Sequence, residues 1–218
     1  LRIIALCQLE RNRLEEALKS CHIAELLIEK LEIMLAGTNQ ERLQAKALTL
    51  RQTYSAVLIF NLQLTQACQI CADAEKNAKQ LGFHFEKVAI YINWAIALIR
   101  LGERQKASDV IIRCRRMLEK QDQPTVTAWC ALIEAQLAIE RGEVETGLYR
   151  LDEALALGEA LGLKDLLGHA WTLLLEAAVQ KGSPREADRA IRGQEKLGPP
   201  GPQSHFNGAL AKWKWMTG

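Results

Sequence analysis

The stretch Ala131–Leu163, ALIEAQLAIERGEVETGLYRLDEALALGEALGL, decides how the chain is read. Apolar residues recur at helical spacing on both sides of Arg141-Gly142-Glu143. Val144, Leu148, Leu151, Leu155 and the run to Leu161 make one such face. A glycine tolerates the positive φ that ends a helix, so Gly142 marks a tight turn. The stretch is predicted as helix, turn, helix, and Leu161-Gly162-Leu163 closes it before the next unit begins.

The same signature returns on both sides. Gly102, Gly142 and Gly182 are 40 residues apart. Five residues after each stands a small residue: Ala107, Gly147 and Ala187, with Ala67 and Ala17 as their earlier counterparts. Seven residues further on lie Ala24, Ala74, Cys114, Ala154 and Gln194; twelve before lie Ala5, Ser55, Ala95, Ala135 and Leu175. Small side chains at fixed points on paired helices let two backbones approach, and larger residues fill the remaining grooves. Leu81-Gly82-Phe83 precedes Leu161-Gly162-Leu163 by 80 residues, and Pro124 sits at the junction between them, suited to the first turn of a helix. The pattern predicts eleven helices, at about 1–11, 13–35, 41–60, 63–81, 85–101, 104–120, 124–141, 144–161, 164–181, 184–197 and 204–216. No stretch alternates like a strand. The predicted fold is all-α, an α-α superhelix of helical hairpins. Residues 1–197 form a repeat solenoid of about five units. Residues 198–218 form a linker, Gly198-Pro199-Pro200-Gly201-Pro202, and a capping helix whose Phe206, Leu210 and Trp213 cover the end of the stack.

Composition narrows the function. The 218 residues carry 28 Lys+Arg against 26 Asp+Glu, a net charge of +2, with 49% apolar residues. That is too apolar for disorder and too balanced for nucleic-acid binding by charge. The uncharged stretch 52–72 contains Gln52, Asn61, Gln63, Gln66 and Gln69, so it reads as a buried hairpin and not a bilayer span. No signal peptide is visible. The chain starts at Leu1 inside an apolar-periodic pattern and reads as a piece of something longer. Its six cysteines all fall in apolar-periodic segments, as free small hydrophobes of a reducing cytoplasm do.

Other signals read as structural. Cys68-Gln69-Ile70-Cys71 lies inside a helix, whereas a redox pair needs a helix N-terminus and structural zinc needs four ligands. His22, His84, His169 and His205 share no metal spacing. Arg104, Lys106, Arg113, Arg115, Arg116 and Lys120 read as a solvated basic face, interrupted by Asp109 and Glu119. Lys212-Trp213-Lys214-Trp215 reads as part of the cap. No nucleophile with a base, phosphate loop or dinucleotide motif occurs, so no enzyme, cofactor or metal is predicted.

The Gly102-x4-Ala107 spacing, the small residue seven later and the preceding helix resemble the tetratricopeptide repeat over about residues 1–197. The match is best in Tyr91–Cys114, Ala131–Ala154 and Trp171–Ala187. The 40-residue period is similar to the long repeats of MalT- and LuxR-type ATP-dependent transcription activators. That resemblance implies a groove lined by the first helix of each unit. It maps the groove onto Thr49, Gln52, Thr53 and Ala56; Ala89, Ile92, Asn93, Ile96 and Arg100; Trp129, Leu132, Ile133, Gln136 and Glu140; and His169, Thr172, Leu173 and Glu176. The family's clamp for a C-terminal carboxylate is missing, since residues such as Ile92 and Ile96 occupy its positions. The implied function is a non-enzymatic protein- or peptide-binding module of a larger cytoplasmic signalling or transcription protein. The alternative is the small-molecule effector-sensing domain of a MalT-like activator. Ile92, Ile96, Trp129 and Leu132 are the expected apolar anchors, with Asn93 and Gln136 as amide readers. Partners are a protein, a peptide, another part of the same chain or a second copy; no direct nucleic-acid or membrane binding is expected.

Overall fold

The computed structural model describes residues 2, 5, 6, 8, 13–34, 40–80, 87–119, 122–200 and 205–217. Among the described residues the chain is helical, without a strand. The expected helix at 1–11, the junction at Gly82, Cys7, His84 and the end of the proline linker, Gly201 and Pro202, lie largely or wholly outside them. The chain divides into two compact units, residues 1–121 and 122–218.

The first unit contains α1 (Leu14–Met34), α2 (Gln40–Phe60), α3 (Leu64–Gln80), α4 (Lys87–Arg100) and α5 (Arg104–Leu118). The second contains α6 (Pro124–Glu140), α7 (Val144–Leu161), α8 (Lys164–Lys181), α9 (Pro184–Leu197) and α10 (His205–Thr217). Up to α9 each helix packs on the next within its unit, and the first helices of successive hairpins also touch: α2 meets α4 and α6 meets α8, while α10 lies on α8. The uncharged stretch 52–72 is indeed broken by a turn at Asn61–Gln63 into two helices.

One turn chemistry serves every described hairpin. The amides of Gln63, Glu103, Glu143 and Ser183 donate back to the carbonyls of Leu58, Leu98, Ala138 and Ala178 at 2.9–3.0 Å. The carbonyls of the same four residues then accept from Ala67, Ala107, Gly147 and Ala187, opening the next helix. This closure needs a left-handed residue just before it. Gly102, Gly142 and Gly182 supply it with φ of 80°, 80° and 65°. In the hairpin before them Leu62 does so at φ 59°.

The small residues in register explain the packing. The described members of all three sets are buried, Gln194 and Leu175 included. A Cβ added to Gly147 would sit 2.5 Å from Ile139 Cγ1 and 3.1 Å from the Ala135 carbonyl oxygen. Ala135 and Gly147 are two of the in-register positions, so their spacing reports the closest approach of α6 and α7. Gly193 of α9 lies flat on Trp171 of α8, where a Cβ would fall 2.3 Å from the indole.

Burial separates the helices into two kinds. In α6 the buried set includes Ala128, Cys130, Ala131, Leu132, Ile133, Ala135, Leu137, Ala138 and Ile139, which wraps most of the helix. In α5 it is one stripe, Ala107, Val110, Ile111 and Cys114. First helices are thus gripped by neighbours on both flanks, and second helices face solvent on one side.

Two substitutions test this account. Leu62 is 72% exposed, so Leu62→Gly loses little burial and relieves a left-handed leucine. It should raise stability by about 0.5–1 kcal/mol in urea unfolding. Gly193→Ala gains about 1 kcal/mol of helix propensity but drives a methyl into Trp171, and overpacking should win with a net loss of about 2 kcal/mol.

Candidate functional site

The face expected to bind is the outward strip of α2, α4, α6 and α8. In the first unit several of its polar groups bond to neighbouring backbone. Asn93 donates through Nδ2 to the Gln52 carbonyl and to Ser55 Oγ, both at 2.9 Å. Arg100 donates to the Ile59 carbonyl at 3.1 Å, capping the end of α2. Thr53 is buried, donates to the Thr49 carbonyl at 3.2 Å and accepts from Arg2 Nε at 3.1 Å. Thr49 donates to the Ala45 carbonyl. Ala56, Ala89 and Ile96 are half-buried.

The second unit presents its strip differently. Trp129 of α6 and His169 of α8 stand at equivalent repeat positions with ring centroids 6.1 Å apart and planes tilted by 58°. Trp129 is half-buried against the core and His169 is exposed. One rung along, Thr172 donates to the Gly168 carbonyl. Two rungs along, Gln136 of α6 and Glu176 of α8 are again equivalent. Gln136 Nε2 donates to Glu140 Oε1 at 3.0 Å. Burial raises the Glu176 carboxyl above its ordinary value, and the charge of Glu140 adds to this, although His205 and Lys212 of α10 pull the other way. The strip therefore runs from an aromatic pair to two neighbouring carboxylates.

No family model matches the chain, and no curated protein matches it. Among solved structures it is similar to BtubC (BKLC) from P. vanneervenii, at 15% identity and a TM-score of 0.66. The alignment covers 92% of this chain and 81% of that one. A likeness at that identity carries the fold. The fold is all-α, a superhelical stack of helical hairpins.

Several expected anchors need correction. Ile92, Leu132 and Ile133 are buried, as is Leu173. They belong to the core and leave Ile96 and Trp129 as the apolar groups on the strip. Asn93 bridges α4 to α2 with its amide donors, so it holds the stack together. Gln136, His169 and Glu176 stay on the accessible side.

A polar cluster in the first unit escaped the sequence reading. Glu75 of α3 is buried and accepts from Tyr91 Oη of α4 at 2.6 Å, from Arg113 Nη1 of α5 at 2.9 and 3.2 Å, and pairs with Lys79 at 3.2 Å. The Arg113 guanidinium lies over the rings of Tyr91 and Trp94 at 5.6 and 5.3 Å. Burial works to raise the Glu75 carboxyl, but the Tyr91 and Lys79 hydrogen bonds and the Arg113 charge together hold it below its ordinary value. Burial and the Glu75 hydrogen bond push the Tyr91 hydroxyl up. Arg113 thus leaves the basic run that was expected to be solvated. A signal existed: Glu75 follows Ala74 and Arg113 precedes Cys114, the equivalent small positions of successive second helices.

The cysteine pair follows the packing account. Burial pushes the Cys71 thiol up to about 12, the reverse of what a nucleophilic thiol requires. Cys21 rises to about 11, again through burial first.

Glu75→Gln removes the charge that holds Tyr91 and Arg113, and should cost about 1–3 kcal/mol at neutral pH. A carboxyl lowered in the folded state contributes stability above its ordinary value of 4.5 and loses it as pH falls through the folded value. The gap between wild type and Glu75→Gln in urea midpoints should therefore be wide at neutral pH and narrow in acid.

Proposed function

We propose that the chain is a non-enzymatic peptide- or protein-binding module of the tetratricopeptide type, with recognition concentrated on the α6–α8 strip. The observation that carries this reading is the contrast between the two units. The first unit's strip commits Asn93, Arg100 and Thr53 to internal hydrogen bonds. The second keeps Trp129, His169, Gln136 and Glu176 outward at matching repeat positions, with Gln136 bonded along its own helix to Glu140 instead of to a neighbouring helix. Residues fixed by a packed scaffold lose little freedom on binding, which favours a preformed site.

The chemistry of the strip describes its partner. An aliphatic or aromatic side chain packs beside Trp129, and a cationic side chain of the same segment lies by Glu140 and Glu176. The peptide backbone finds an amide at Gln136. Net charge is only +2, so long-range attraction supplies little and the contact surface must supply most of the affinity. The long repeats place the module, by resemblance, within a larger regulatory protein of the MalT-like kind. Buried free cysteines fit a reducing cytoplasm.

Panning a random peptide display library against the chain tests this. Enriched peptides should pair an apolar residue with Lys or Arg, and both Trp129→Ala and Glu176→Gln should weaken them about tenfold. Asn93→Ala should leave peptide affinity unchanged while lowering stability. Enriched peptides that bind Trp129→Ala as well as wild type would sink the proposal, as would a library that yields no enrichment.

A further inference from the structure

The outer surface of α1 carries an aliphatic stripe left in solvent. Ile23, Leu26, Leu27 and Leu31 are 51, 44, 47 and 40% exposed. They sit at helical spacing away from Ala17, Cys21 and Ala24, which face the core. Isolated exposed aliphatics are ordinary, but four at helical spacing on one helix form a contact surface. Exposed charges bound the stripe: Glu15 and Glu16 before it, Lys19 at its edge, Lys30 near its end. Glu16 is held only loosely, by Arg13 at 3.5 Å and Gln8 at 3.4 Å, on the protein surface.

We propose that α1 pairs antiparallel with α1 of a second copy, about a two-fold axis beside Ile23. The charge pattern selects both the occupant and the direction. In an antiparallel pair Ile23 meets its own counterpart, Leu27 lies over the aliphatic stem of Lys19 of the other copy, and Leu31 reaches its Glu15 end. Lys30 of each copy then lies beside Glu16 of the other, so the pair forms twice. A parallel pair would set Glu16, Lys19 and Lys30 each against its own kind, which is repulsive. The interface is isologous and closes at two copies. A helix of 21 residues is about 30 Å long, so the buried area falls at the small end of stable interfaces and the dimer is weak, with a Kd on the order of tens of micromolar.

Sedimentation velocity of the whole chain, from about 10 µM to about 1 mM, reads the result directly. The weight-average mass should climb from 24.4 kDa toward twice that value. Leu27→Glu should keep the chain monomeric throughout. Lys30→Glu, which touches no core residue, should raise the dissociation constant about tenfold, and adding Glu16→Lys should bring it back to within about threefold of wild type. A wild-type chain still monomeric at about 1 mM overturns the proposal. So does a dimer that Leu27→Glu leaves intact, because its interface then lies elsewhere. A double charge swap that fails to recover association overturns the antiparallel pairing.

Discussion

The close approach of two helix backbones within a hairpin is the constraint on which the rest depends. Where Gly147 meets Ile139 and the Ala135 carbonyl, an added methyl would fall 2.5 Å from the Ile139 side chain and 3.1 Å from the carbonyl oxygen. That proximity lets the chain reverse in three residues and lets the Glu143 amide reach back to Ala138 at 2.9 Å. The same bond recurs at Gln63, Glu103 and Ser183. With the helices pressed together at small residues, Leu151, Leu155, Leu166 and Leu174 can fill the spaces on either side, and all four are buried. Larger residues at the small positions would separate the helices and open voids beside those leucines, at a cost of the order of 1 kcal/mol for each missing methylene.

The same constraint decides which residues of a first helix stay accessible. A first helix gripped on both flanks has only a narrow strip free. Residues one position off that strip are drawn into the core, which is why Ile92 and Leu132 are buried while Ile96 and Trp129 are half open. Polar groups at the strip's margin face a choice between solvent and the carbonyls of the preceding helix. Asn93 and Arg100 take the carbonyls, at Gln52 and Ile59. At their equivalents in the next hairpin stand Ile133, which cannot donate, and Glu140, which is acceptor-only when ionised.

Helix boundaries were legible to within a few residues because turn glycines and small residues recur at one period. Gly102, Gly142 and Gly182 each marked a real turn; the fourth falls between 60 and 63, where the sequence breaks the helix, but nothing in Leu62 announces its left-handed backbone. Which side of each helix faces a neighbour was legible only coarsely. Apolar periodicity places Leu132 and Trp129 on one broad face, and whether a side chain on that face is buried depends on how closely the adjacent first helix approaches. The Glu75 cluster was hidden for a different reason. Its members come from three helices and meet only after the hairpins stack. Charge at Arg113 read as solvated because its partner lies 38 residues away, close to one period but on the opposite side of a small residue.

The two polar arrangements also differ in how they respond to charge. Glu75 is surrounded by a hydroxyl, an ammonium and a guanidinium, so ionisation is favoured and the cluster tightens when the carboxyl is charged. Glu176 feels desolvation and the charge of Glu140, which oppose its ionisation, with His205 and Lys212 of α10 acting the other way. A carboxylate in the first situation has little left to offer a ligand, since Tyr91, Lys79 and Arg113 already satisfy it. One in the second situation gains when a cation arrives, because the arriving charge lowers the cost of keeping both carboxylates ionised. The physical difference between the two carboxyls is therefore the balance of donors against desolvation: Glu75 is lowered by its donors, and Glu176 is raised.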